Sequence, residues 1–320
     1  MNIEVLGRTT IWDVSDSKID KEIPQRETDC LRIIIGKDIN IDGLKVLVKE
    51  ADNYPRVRVV LAIGSEISWV WLKNFENLIG VQAYGLTSTT SSLLRSVPST
   101  ILELEVGFES IPKNGLRVFD SFDVLESLTI SGKFKGIEGL GCFNHLKRLS
   151  LHYVSAVDLS SQCQLADLNE IELHHGSAIN CINWNKLVQL KKLVLWKTKG
   201  IDSLEWLLGS KKIESIEIGA LAQINELPLL VNAPSLTRIK IEQLKSLSSI
   251  SALADIKPLK YLHIVKMNQI PLEDYKVFIG HKVLGEITCG YSSRKKCSEV
   301  SDLLGLNSVT YRPFWEENEF

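Results

Sequence analysis

His152, Glu172 and His174 have the side chains from which a metal site or a proton-moving pair is built. Tyr153, His175 and Trp196 stand close by in the sequence. Two imidazoles and a carboxylate are a familiar zinc ligand set, and a His–Glu pair can transfer protons near neutral pH. Their spacing is more informative than their types. His152 precedes His174 by 22 residues, and Trp196 follows His174 by another 22. Such intervals bring side chains together only if the chain returns on itself at the same period, with neighbouring strands setting them ~5–7 Å apart. No second shell is legible around these residues, and adjacent histidines are often plain surface residues, so the metal and catalytic readings are the weaker ones.

Little else in the chain suggests chemistry. There is no GxxxxGK[ST], no GxGxxG after a strand, no HExxH, no GxSxG and no EF-hand loop. The six cysteines (Cys30, Cys142, Cys163, Cys181, Cys289 and Cys297) include no CxxC pair and no metal-type spacing. With no N-x-S/T sequon and no basic-then-apolar leader in "MNIEVLGRTTIWDVSD", the expectation is a cytoplasmic protein with free thiols. A formal net charge of −2 offers no electrostatic case for nucleic acid or an anionic membrane. No run of about 18 apolar residues suggests a spanning helix.

The elements that must position these residues are legible in "FNHLKRLSLHY", "LADLNEIELHH" and "LVQLKKLVLWK", each starting 22 residues after the last. Anchoring every unit on the first apolar residue of its LxL pair gives Ile33, Val59, Val81, Leu104, Leu128, Leu149, Ile171, Leu193, Ile216, Ile239, Leu262, Ile287 and Val309. The intervals run from 21 to 26 residues. In the eight units from Leu104 to Leu262, the anchor, the residue two after it and the residue three before it are Leu, Ile or Val at all 24 positions. Hydrophobic residues of every kind make up only 44% of the chain. A period of two at the anchor demands a short strand with one buried face. One such unit cannot bury that face alone, so units must stack into a parallel sheet with a continuous core behind it. Return segments such as "IEGLGCF", "IDSLEWLL" and "ISALADI" carry a second apolar row suited to short helices or 3₁₀ turns.

The pattern LxxLxLxx…IxxL at this period resembles the leucine-rich repeat family, and within it the short bacterial class that includes the internalins. The resemblance implies an α/β solenoid, a right-handed horseshoe of about thirteen turns. A parallel sheet would line the concave side, with short helices or 3₁₀ turns on the convex side. It implies a single domain over residues 1–320: an N-terminal cap over 1–29, repeats over 30–312 and a C-terminal tail over 313–320. "IEVLG" and "TTIWDV" suit a covering hairpin, and "IDGLKVLVKEAD" (41–52) an amphipathic helix. One departure stands out. The family's Asn three residues after the second strand leucine is replaced by Val154, Gly176, Thr198, Leu221, Leu244 and Met267, so the turn's backbone groups must be satisfied otherwise.

On the concave wall, one outward column contains Tyr84, Gly107, Ser131, His152, His174, Trp196, Gly219 and Glu242. The column before it contains Glu172, Val194, Glu217, Lys240 and His263. The candidate partner-binding set is His152, Tyr153, Glu172, His174, His175, Val194, Trp196, Lys197, Glu217 and Lys240. Two readings stand for Trp196. It is either an outward anchor of the kind that dominates binding hot spots, or a ring folded against its own turn; the anchor is the favoured one. The expectation is a non-enzymatic protein-binding scaffold without a cofactor, monomeric when free. In its most concrete form it is a cytosolic bacterial immunity or inhibitor protein that binds a toxin or enzyme through its concave face. The alternatives are a regulatory adaptor or effector, and then a metal-dependent protein built on His152 and His174.

Overall fold

The computed structural model describes residues 2–6, 9–13, 29–36, 41–62, 69–110, 119–132, 143–154, 165–177 and 187–305. Contacts divide the chain into two compact units, Met1–Val154 and Ser155–Phe320.

The first unit opens with a hairpin. Strands β1 (Asn2–Leu6) and β2 (Thr9–Asp13) pair antiparallel, and β2 then pairs in parallel with β3 (Cys30–Ile35). The hairpin expected from "IEVLG" and "TTIWDV" therefore covers an edge that β3 would otherwise expose. Parallel strands β4 (Val57–Ala62), β5 (Leu78–Leu86), β6 (Glu103–Phe108), β7 (Ser127–Ser131) and β8 (Arg148–His152) follow in order. Helix α1 (Ile41–Ala51) joins β3 to β4 and buries Leu44, Leu47 and Ala51, one stripe at helical spacing. Phe119 packs between Phe108 and Phe122, with ring centroids 6.3 and 6.4 Å apart.

The second unit repeats the plan with β9 (Glu170–His174), β10 (Lys192–Trp196), β11 (Ser215–Gly219), β12 (Arg238–Glu242), β13 (Tyr261–Val265) and β14 (Glu286–Thr288). Successive strands pair in parallel, with Ile171, Leu193, Ile216, Ile239, Leu262 and Ile287 opposite one another. The anchors are the core: from Ile33 to Ile287, none of the twelve is more than 3% exposed. "IDSLEWLL" and "ISALADI" hold the 3₁₀ turns Glu205–Gly209 and Ser251–Leu253. The last interval departs from this pattern. There the return is an α-helix, α2 (Arg294–Leu304), because Ser293 caps its first turn and Gly305 ends it in the left-handed conformation. The thirteenth anchor, Val309, and the tail over 313–320 lie outside the described residues, as does most of "IEGLGCF".

Backbone geometry shows how the turns manage without asparagine. Immediately after its strand, each of Tyr153, His175, Lys197, Ala220, Gln243 and Lys266 is left-handed, with φ between 48° and 63°. In the second unit that residue carries the ladder one step further. The N–H groups of His175, Lys197, Ala220 and Gln243 donate to the carbonyls of Trp196, Gly219, Glu242 and Val265 on the next strand, at 2.8–3.1 Å. Side chains complete the work in places: buried Thr198 donates its hydroxyl to the Leu173 carbonyl at 3.0 Å, and Gln269 donates to Leu244 O at 2.7 Å. The demand for paired backbone groups is met by local strain in place of an asparagine amide.

Candidate functional site

Alternation along β9–β13 sets three rows of side chains on the face opposite the core. The outermost row runs His174, Trp196, Gly219, Glu242, Val265, and the middle row Glu172, Val194, Glu217, Lys240, His263. Trp196 does not stand up from this wall. A Cβ placed on Gly219 would fall 2.1 Å from Trp196 Cζ3 and 2.2 Å from Cε3, so the indole lies across the neighbouring strand in the space a side chain would fill. The indole is packed on Gly219 while the residue stays partly exposed, as a platform. Among the described residues the indole Nε1 has no acceptor.

Charges around the platform are paired across strands. Lys192 Nζ reaches Glu172 Oε1 at 2.7 Å, Lys240 reaches Glu217 at 3.3 Å, and Lys266 reaches Glu242 at 2.9 Å. Burial works against the Lys192 ammonium, but its bond to Glu172 and the field of nearby carboxylates outweigh it and hold the group above the ordinary lysine range. His174 Nε2 stands 3.9 Å from Glu172 Oε2, a contact of opposite charges only when the imidazole is protonated. Arg238 stacks over Tyr261 at 4.9 Å. No group of three or more His, Cys, Asp or Glu residues that could hold a metal occurs among the described residues.

No protein-family model matches the chain, and no curated protein is significantly similar in sequence. Solved structures do match. An internalin of Listeria monocytogenes, inlF, superposes with a TM-score of 0.58 at 17% identity, over 90% of this chain and 81% of that one. A leucine-rich repeat protein of Leptospira interrogans gives 0.51 at 13% identity, over 89% of this chain and 90% of the other. The fold is the leucine-rich repeat fold.

Within the leucine-rich repeat wall of the second unit, Glu172, His174, Val194, Trp196, Glu217 and Lys240 share one face. Val194 is outward but only 5% exposed. His175 and Lys197 are not in the rows; as left-handed turn residues they sit exposed where β9 and β10 end. His152 and Tyr153 belong to the first unit. There His152 Nε2 lies 3.0 Å from Ser150 Oγ, and Tyr153, also left-handed, is 47% exposed.

Two features of the wall were missed from the residue pattern. In the first unit Tyr84 lies beside Gly107, where an added Cβ would come 3.0 Å from its Cδ1, and its hydroxyl donates to Glu105. Burial and that bond push the phenol's pKa up. Also in that unit, Arg58 reaches past Gly80 to grip Glu103 through two bonds of 2.6 and 2.9 Å. The arginine bond holds the Glu103 carboxyl below its usual range. The sequence does carry the signal. Tyr84 and Gly107, like Trp196 and Gly219, are 23 residues apart, so a glycine sits beside each aromatic once the repeats are aligned.

Proposed function

We propose that this leucine-rich repeat protein is a non-enzymatic scaffold that holds a protein partner on its wall, most concretely as a cytosolic bacterial immunity or inhibitor protein that blocks a toxin or enzyme. The observation that carries the reading is the indole of Trp196, packed on Gly219 with His174 opposite it on the other neighbouring strand. A flat aromatic fixed on a rigid strand gives a partner apolar area at little entropic cost. The wall is also prepared in advance. Lys192, Lys240 and Lys266 are already held by carboxylates, so a partner meets side chains that need little reordering, as tight stoichiometric inhibition requires.

The test is affinity capture from the source cell with the protein and with Trp196→Ala/His174→Ala, followed by titration of the purified partner. The double variant is expected to stay folded but to bind at least about tenfold more weakly, since a hot-spot tryptophan contributes roughly 2 kcal/mol or more. A partner that binds both proteins equally removes the wall as the interface. A partner that is neither a toxin nor an enzyme removes the inhibitor role.

A further inference from the structure

A cleft of about 370 Å³ opens between the return segments that follow β10 and β11. Its lining includes the carboxylates Asp202, Glu205 and Glu226 with the aliphatic Leu208, Leu227 and Leu229, and it includes no lysine or arginine. Among the described residues these three acids form no ion pair. Elsewhere in the same unit Glu172, Glu214, Glu217 and Glu242 each face a lysine across a strand or turn. The apolar lining is open to solvent as well. The 3₁₀ turn Glu205–Gly209 buries Leu207 but leaves Leu208 50% exposed, and in the next return Leu230 is buried while Leu229 and Val231 are 57% and 54% exposed. Leu208 and Leu229 thus present aliphatic surface beside unneutralised acids.

We infer that this cleft is a second docking site, separate from the strand wall, for a peptide segment that carries lysine or arginine among aliphatic residues. Charge complementarity selects the cation: desolvating three carboxylates without one would oppose any neutral or acidic ligand. The exposed Leu208 and Leu229 of the lining select a chain over a small amine, which would leave that aliphatic surface wet. The volume lies within the range of roughly 300–1,000 Å³ typical of ligand clefts.

A short fluorescein-labelled peptide alternating lysine and leucine, titrated by anisotropy, tests the assignment, with the matching glutamate–leucine peptide as control. Saturable one-to-one binding is expected for the lysine peptide alone. Glu205→Gln/Glu226→Gln and, separately, Leu208→Ser/Leu229→Ser should each weaken it about fivefold or more. All four positions are exposed, so both variants should fold; if one does not, the other decides. Trp196→Ala should leave this binding unchanged, which separates the cleft from the wall. Absent binding, equal binding of the glutamate peptide, indifference to both cleft variants, or loss with Trp196→Ala would each overturn the assignment.

Discussion

Replacing Gly219 with alanine tests the geometry of the platform directly. The new methyl group would sit 2.1 Å from Trp196 Cζ3, a separation no side chain sustains, and β11 is held on both sides by its neighbours. The indole must therefore swing off the strand. A tryptophan buries about 150–250 Å² in full, and taking about a third of that as packed on Gly219 gives ~70 Å². At ~25 cal/mol per Å² its loss costs about 1.8 kcal/mol. Alanine returns roughly 0.4–1 kcal/mol through the less flexible unfolded chain. The net expectation is a destabilisation of about 1 kcal/mol, read by urea denaturation, with a red shift in tryptophan emission. The decisive comparison is a double-mutant cycle. On a Trp196→Ala background the ring is gone, so Gly219→Ala should be neutral or slightly stabilising. An equal effect in both backgrounds would refute the packing of Trp196 on Gly219.

Leu193→Asp places a charge at a fully buried anchor and should cost several kcal/mol; an unchanged melting temperature would contradict the register. Lys197→Gly relieves a side chain held at φ 48° and should stabilise by a few tenths to about 1 kcal/mol in the same denaturation assay. Because the folded Glu103 carboxyl is held below its usual range, its pairing with Arg58 contributes stability above the unfolded pKa of about 4.3, and that contribution is lost as the pH falls through the lower folded value. The stability gap between the protein and Glu103→Gln should therefore be widest near neutrality and close in acid. A gap independent of pH would show that the pair is not coupled to folding.

The core was readable because one rule governs it. A period of two with a fixed return places Leu193 and Ile216 opposite each other whatever their other neighbours do. Placement on the wall was readable for the same reason, so Glu172, Trp196 and Glu217 fell on the expected face. Orientation is legible only once the repeats are aligned. How Trp196 lies depends on an absent side chain 23 residues away, and no local pattern reports a neighbour's missing Cβ. His175 and Lys197 were read as part of the wall because a left-handed residue is usually announced by glycine or asparagine, and here the chain uses neither. The helix α2 was hidden by its polar composition, although Ser293 and Gly305 mark both its ends.

The asparagine-free turns bear on how the protein ages. Asparagine is among the thermolabile residues, prone to slow chemical loss, and a solenoid that hangs each turn on a buried amide carries one such clock per repeat. Here the corresponding positions are Val154, Gly176, Thr198, Leu221, Leu244 and Met267, and the turns are closed by main-chain groups with help in places from Thr198 and Gln269. In these repeats no asparagine amide sits at that interior position to decay. What replaces it is a small conformational strain at the rim, which does not accumulate with time.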